Sequence, residues 1–445
     1  MVSDGSMPRS AVLLLLGALA CSGTTLPNLD DAVRDSSSVL PVFPGAEGFG
    51  TDTSAGRKGA VLVVTTLADS GEGSLRWALS QPGPRTVVFE VGGVIETKTS
   101  LEVHEPFITV AGQTAPAPGI TLFGAGLSIQ THDVLVQHLA FRPGDAPDGP
   151  DPNDRDALQI IGNARGLEVF NVVIDHVSLS WAIDEGFSTW YPGVHDVTVS
   201  NSLVAECVDA SIHPKGKHSK GFLIGDHTRR FAMLRNLLAH NDDRNPFIKG
   251  DTSSLVVNNF VYDPGRWPVG LFDEEGAGPS LTTLQGNDFV LGPSSNRDDH
   301  TMLISPSMKT GTRVHLADNR GWDLQEGQQS LVDAKPGHRV QFVDAPTVSV
   351  KPLTVLPVAM VEARVVANAG SRPRARDAVD ARIISTVTAR SGRIIDRVSE
   401  VAFTPPSPTR MPLVLPAEPA GDADGDGYTN LEEWLHERSR AVSAE

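Results

Sequence analysis

From Thr86 to about Arg320 the chain repeats one short theme: an apolar run of β-type residues, a polar residue, then another apolar run. Examples are TVVFEV (86–91), FITVAG (107–112), GITLFG (119–124), DVLVQHLAF (133–141) and LEVFNVVIDHVSLSW (167–181). VTVSNSLVAE (197–206), FAMLRNLLAHN (231–241), SLVVNNFVYD (254–263), TLQGNDFVLG (283–292) and RVHLADNRG (313–321) follow. Val, Ile, Phe and Thr dominate the runs and Gly, Asp and Asn punctuate them, so each reads as a strand of about 4–6 residues. The recurrent polar position holds His138, His176, Asn201, Asn236, Asn259, Asn287 and Asn319, at spacings of 38, 25, 35, 23, 28 and 32. A floor near 23 with irregular excess fits coils that carry loops of unequal length. A polar residue repeated at one turn can bond the backbone and its counterpart one coil away, which satisfies groups otherwise buried unpaired. The pattern predicts an all-β chain built as a right-handed, single-stranded parallel β-helix. A sandwich or a propeller would show more even spacing or a blade-length repeat. The segment SGEGSLRWALS (70–80) reads as a helix capping the N-terminal end of the solenoid.

The two ends do not belong to the repeat. AVLLLLGALA (11–20) is too short to span a bilayer as a helix. It matches the apolar region of a secretory signal, with Met7-Pro8-Arg9-Ser10 before it and Ala18-Leu19-Ala20 as the cleavage site. Residues 1–20 are thus expected to be a signal peptide and 21–41 a tether, with export to the outside or the outer surface. Cys21 directly after the cleavage site would permit a lipid anchor. Cys207 is then the only other cysteine, so no intramolecular disulfide can form and a buried free thiol is expected. Residues 42–325 are assigned to the solenoid and 326–402 to an extension of apolar strands packing back along it. Residues 403–421, with six prolines, read as a linker. In residues 422–445, Asp422, Asp424, Asp426, Asn430 and Glu433 fall at positions 1, 3, 5, 9 and 12 of an EF-hand-like calcium loop. The Tyr428 carbonyl would serve position 7 and Gly427 the turn at position 6, with a short helix after the loop.

Charge narrows the function. With 37 basic and 54 acidic residues the chain is net −17, which argues against nucleic acid as a partner. The charge is also segregated. Asp145, Asp148, Asp151, Asp154 and Asp156 crowd one stretch, Asp184 and Glu185 another, and residues 211–250 carry four Lys and four Arg against three Asp. On one face of a solenoid the loops of successive coils adjoin. Carboxylates gathered there would collect a hard cation such as Ca²⁺, and the neighbouring cations an anionic polymer. The chain has no G-x-S-x-G, H-E-x-x-H or P-loop.

Four motifs occur in order: Asn171-Val-Val-Ile-Asp175-His176, His218-Ser-Lys220-Gly-Phe-Leu-Ile-Gly225, Arg244-Asn-Pro246-Phe-Ile-Lys249-Gly250 and Val256-Val-Asn258-Asn259. This succession resembles the secreted β-helical pectate lyases of polysaccharide lyase family 1. FPGAEGFG (43–50), GSLRWAL (73–79), AGQTAP (111–116) and the NAG…RDAVDARII…GRIID stretch (368–396) look like its bacterial branch. The resemblance implies calcium-dependent β-elimination of 4-linked α-galacturonan, an acidic plant polysaccharide, to 4,5-unsaturated oligogalacturonides, by an enzyme expected to be a monomer. It implies Asp156, with Asp154 beside it, as a calcium ligand. Asp184 matches the first carboxylate of a D-x-x-x-D pair whose second position here is Ser188, and Glu185 would compensate. Lys220 matches the lysine on the substrate carboxylate and Arg244 the catalytic base. His218 and Lys249 complete the substrate-binding set, Lys249 standing where an arginine is common. His176 is expected to be a ladder or core histidine and Asp175 to support the loop below the site. Trp181, Trp190 and Trp267 could stack on sugars or pack the core. Two alternatives remain open. A β-helical glycoside hydrolase would use two of Asp154, Asp156 and Asp184 and leave Lys220 and Arg244 idle. A non-catalytic surface carbohydrate-binding protein would account for the departures at Ser188 and Lys249.

Overall fold

The computed structural model describes residues 32–163, 166–298 and 302–444. The signal peptide, Cys21 and the first half of the tether lie outside them. No helix among the described residues is long and apolar enough to cross a membrane.

The chain winds through three sheets in turn. In one coil, Val169–Asp175 lies in the first sheet, Ser178–Ser180 in the second and Glu185–Trp190 in the third; the next coil begins at Val194. The first sheet has 11 strands, the second 11 and the third nine. Pairing is parallel from coil to coil, and only the two outermost strands of the second sheet run antiparallel. The result is a right-handed parallel β-helix. Alignment of like residues explains its interior. Val110, Val136, Ile174, Val199, Met233, Val256 and Leu284 sit in register on successive strands of the first sheet. All are buried in one continuous core. Each contributes roughly 1.5–3 kcal/mol by leaving water.

The recurrent polar position resolves into two adjacent columns at the corner between the first and second sheets. Register places His138, His176, Asn201, Arg235, Asn258, Gly286 and Asp318 in one column. All seven have positive φ, between 48° and 64°. This column makes the corner, and Asn and Gly tolerate the left-handed conformation best. The next column, Ser202, Asn236, Asn259, Asn287 and Asn319, is the hydrogen-bonded ladder. Each of the last three asparagines accepts, on its Oδ1, the backbone N–H of the residue one coil before. His138, His176 and Asn201 therefore turn the chain and are not rungs.

The capping helix is Leu75–Leu79, with the Ser74 hydroxyl accepting from Trp77 N–H. Leu75, Ala78 and Leu79 close the end of the core. The boundary at 325 cuts the last coil, since Asp333–Ala334 and Gln341–Phe342 still add to the third and first sheets. Beyond it come helices Val358–Asn368 and Ala378–Thr388, where strands were expected. Val361 and Val365, and Val379, Ile383 and Val387, repeat every four residues, a helical face. That face buries against Trp181, Leu203, Leu237, Phe260 and Tyr262 on the outside of the second sheet. The proline-rich stretch is not a free linker. Thr409–Arg410 pairs with Val91 and Gly92, and Leu413 and Leu415 pack beside Val88. The C-terminal helix Asn430–Val442 docks too, through Leu431 and Leu435, while Arg57 Nε donates to Glu432 at 2.8 Å.

Candidate active site

The candidate side chains meet at the corner where the chain enters the third sheet. Asp156 precedes Leu158–Ile161, Glu185 begins Glu185–Trp190, Lys220 begins Lys220–Ile224, and Arg244 precedes Phe247–Ile248. Leu158 pairs with Phe187, Glu185 with Lys220, and Lys220 with Asp243. Asp156, Glu185, Lys220 and Asp243 therefore form one row across four coils. Stacking, not sequence proximity, assembles the site.

Asp156, Asp184 and Glu185 are buried and bring carboxylate oxygens within 4.8 Å of one another. Asp156 Oδ1 accepts the Glu185 backbone N–H at 3.0 Å, and Oδ2 accepts the Ser188 hydroxyl. Burial, then the charge of Asp184, hold the Asp156 carboxyl well above its ordinary range. The Arg244 guanidinium contacts Glu185 Oε1, while Glu185 Oε2 is buried with no hydrogen-bond partner. Burial lowers the Arg244 pKa against the opposing pull of Asp184 and Asp156. The same guanidinium lies 5.5 Å from the Phe247 ring centre. Lys220 Nζ is 3.1 Å from Asp243 Oδ1 and 3.4 Å from Asp242 Oδ2, and Arg266 pairs with both aspartates. The carboxylates thus crowd together while the cations sit around them.

The other expected residues fall at different distances from this centre. His218 Nε2 donates to Asp184 Oδ1 at 2.6 Å, so it steadies a candidate ligand. Asp154 is exposed, ends the short turn Pro152–Asp154, and lies outside the carboxylate group. A ligand must bring its oxygen inward, and the chain turns between Asp154 and the buried Asp156. Lys249 is paired to Asp226 at 2.8 Å and Glu275 at 2.7 Å, above the Trp190 ring. Ser188 uses its hydroxyl on Asp156. Asp175 sits at the opposite corner of the coil, bonded to His176, and does not support this site. Trp181 is wholly buried and donates to Glu206, which leaves no face for a sugar. Cys207 is buried and unpaired, and burial pushes its thiol up to about 12.

His213 was not singled out from the sequence, yet it belongs here. Its ring lies parallel to that of His218 at 3.7 Å. The Lys215 backbone N–H donates to His213 Nδ1 at 3.1 Å, which places the proton of the neutral ring on Nε2. Burial, then the adjacent His218, push this imidazole down to about 4, so it is neutral at neutral pH. Nε2 is buried without a hydrogen-bond partner, 3.7 Å from Asp184 Oδ1. This wiring suits a donor to oxygen and disfavours a metal on that nitrogen, because a ligating imidazole normally donates its other N–H. The sequence signal was weak: two histidines five apart in a loop.

Gly186 lets the coils close behind this row. A Cβ there would meet Val204 Cγ1 at 2.6 Å, the Gly221 carbonyl at 2.7 Å and Cys207 Sγ at 3.0 Å. Gly186→Ala is expected to lower stability by about 1–3 kcal/mol through overpacking. Urea unfolding of the variant checks this, and an unchanged midpoint would refute the close approach.

A second acidic group lies at the far C-terminal end. Asp422, Asp424 and Asp426 cluster on the exposed loop. Desolvation, then the charges of these three, raise the Glu433 carboxyl, so Glu433 faces them. Asn430 instead closes the loop, its Oδ1 accepting from Ala423 N–H and its Nδ2 donating to the Ala417 and Glu418 carbonyls.

No protein-family model matches the chain. Over 261 residues, 58% of its length, it is 40% identical to a protein of Aspergillus flavus named a probable pectate lyase C, of which it covers 57%. A pectate lyase 5 of Ambrosia artemisiifolia is 29% identical over 292 residues, 61% of this chain and 69% of that one. The chain therefore spans under two thirds of the length of the Aspergillus protein. Among solved structures, the cedar-pollen major allergen jun a 1 matches with a TM-score of 0.52 at 19% identity, over 72% of this chain and 91% of that one. A pectate lyase bound to a hexasaccharide matches with a TM-score of 0.52 at 13% identity, over 75% and 98%. The likeness to both structures is one of fold.

Proposed function

We propose that the chain is an exported, calcium-dependent pectate lyase that cleaves 4-linked α-galacturonan by β-elimination. The carrying observation is the group Asp156, Asp184 and Glu185, buried within 4.8 Å of one another beside Arg244 and Lys220. The sequence likeness to proteins named pectate lyase supports the same reading.

The residues present fit a hard divalent cation. All three donors are carboxylate oxygens, Glu185 Oε2 has no partner, and burial and the Asp184 charge push Asp156 toward its protonated form, which a bound cation would reverse. Bound there, Ca²⁺ would supply positive charge to a substrate carboxylate and to the charge that develops on it. The chain's own groups do the rest. The C5 proton of a uronate is weakly acidic because the carbanion forms beside an anion. Lys220 neutralises that carboxylate as charge develops. Arg244, with its pKa lowered by burial, takes the C5 proton as a base. The electron pair of the C5–H bond becomes the C4–C5 double bond, the C4–O bond breaks with its electron pair on the departing oxygen, and that oxygen takes a proton from solvent water. His213 Nε2–H is a donor for an uronate oxygen near Asp184. A hydrolase would place its two carboxylates about 5–9.5 Å apart, flanking the bond; these three crowd one spot, and Asp154 is outside it.

The test follows ultraviolet absorbance of polygalacturonate at alkaline pH with added Ca²⁺ or with chelator. A calcium-dependent rise from the conjugated double bond is expected. New reducing ends without absorbance would overturn elimination in favour of hydrolysis. Asp422, Asp424, Asp426, Glu433 and the Tyr428 carbonyl are proposed to hold a second, structural Ca²⁺. Because the following helix is docked on the solenoid, Ca²⁺ should raise the melting temperature of the chain. Asp424→Ala should reduce that rise and leave calcium-dependent turnover intact. A turnover lost with the thermal shift would contradict separate sites.

A further inference from the structure

A cavity of about 430 Å³ lies away from the carboxylate row, at the corner between the first and second sheets. That is within the range of small-molecule sites, about 300–1,000 Å³. Its floor comes from successive coils: Gln137, Asp175 and His176, Asn201, then Arg235. One face of the C-terminal helix, His436, Ser439 and Arg440, with Ser443 just past its end, forms a wall. These four recur at helical spacing.

The polar groups around it divide into those already paired within the protein and those not. Asp175 accepts four hydrogen bonds, from His176 Nδ1, Gln137, Ser200 and Asn201. Glu47 accepts from Arg235 and, twice, from Thr354. Both acidic groups of the lining are thus satisfied. His176 is 95% buried, and its Nε2 has no partner. Its Nδ1–H donates to Asp175, so Nε2 is the ring atom left for a ligand. The stacked His138 shows how such a nitrogen is satisfied: its Nδ1–H donates to the Ser371 carbonyl, and its Nε2 accepts the Ser439 hydroxyl at 2.8 Å. The Ser443 hydroxyl is likewise buried and unpaired. Arg440 is exposed at the rim and joins no ion pair among the described residues.

We infer that this cavity binds a small hydroxylated carboxylate of the sugar-acid class, with a ligand hydroxyl bonded to His176 Nε2 and the carboxylate on Arg440. A hydroxyl can donate or accept and so satisfies His176 Nε2 in either protonation state, while only an anionic group makes use of the Arg440 charge. The site is independent of the lyase reading, because none of its residues belongs to the carboxylate row.

Calorimetric titration of the full chain with D-galacturonate, methyl galactoside and inorganic phosphate tests it. Saturable binding of galacturonate is expected, unchanged in Arg244→Ala and weakened about tenfold in Arg440→Ala, the loss of one charge-assisted contact worth about 1.4 kcal/mol. Arg440 is on the surface, so this variant keeps the fold; Ser443→Ala gives a second probe of the same wall. Binding abolished by Arg244→Ala but intact in Arg440→Ala would move the ligand to the candidate active site and overturn the assignment. Galactoside or phosphate binding as tightly as galacturonate would overturn the class of ligand, and no saturable galacturonate binding would overturn the site. A failed lyase assay with this binding intact would count against the proposed activity alone.

Discussion

Arg244→Lys should remain folded and lose turnover of polygalacturonate by on the order of a thousandfold, the scale of a lost general base. The two side chains carry the same charge at neutral pH, so a purely electrostatic role would survive the exchange in large part. Arg244 reaches Glu185 over a buried carboxylate group, and it is held between that group and the Phe247 ring. A shorter, narrower ammonium cannot fill that geometry. The pH profile gives the sign. Arg244 must be deprotonated to accept a proton, and burial lowers its pKa. Turnover of the wild type should therefore climb with pH, close to tenfold per unit while Arg244 is mainly protonated. Polygalacturonate elimination from pH 7 to 11, with circular dichroism to confirm folding, measures both. A profile flat above neutrality, or a lysine variant within tenfold of wild type, would remove Arg244 from the proton transfer.

The sequence made the solenoid legible because its repeat is a physical requirement. Each coil must return an asparagine or a left-handed residue to the same corner, and the spacings between His138 and Asn319 record that return. The two columns were merged because they are neighbours in sequence. Asn258 and Asn259 do different jobs one residue apart, and only register separates them. The helices at 358–388 look like strands in the sequence because they are rich in Val and Ile. Tertiary packing on the second sheet overrides that propensity. At the site, Asp156, Glu185, Lys220 and Arg244 are identifiable from the sequence, but the row of Asp156, Glu185, Lys220 and Asp243 is not. It exists only because loops of different length are closed over strands in register. The role of His213 follows from the Lys215 N–H and the stacked His218 ring, neither of which the sequence shows.

That register is most exposed to test at Asn259, which is 1% exposed. Its Nδ2 donates to the Met233 carbonyl at 2.9 Å and to Asn287 Oδ1 at 3.0 Å, and its Oδ1 accepts the Asn236 backbone N–H at 2.9 Å and Nδ2 at 3.0 Å. Asn259→Ala removes these bonds and leaves the buried Asn236 backbone N–H without its partner. At about 1–3 kcal/mol for the orphaned donor, with the lost side-chain bonds added, the loss should be on the order of 3 kcal/mol. That is a large part of the roughly 5–15 kcal/mol by which domains are stable. Asn319 makes the same ladder contact at the last rung, where it is only partly buried. Water can replace the lost bonds there, so Asn319→Ala should lose no more than about 1 kcal/mol. Urea unfolding of both variants discriminates, because propensity and unfolded-state effects of Asn→Ala are common to the two. Equal losses would mean that the interior asparagines fill space in the core and do not carry its hydrogen bonding.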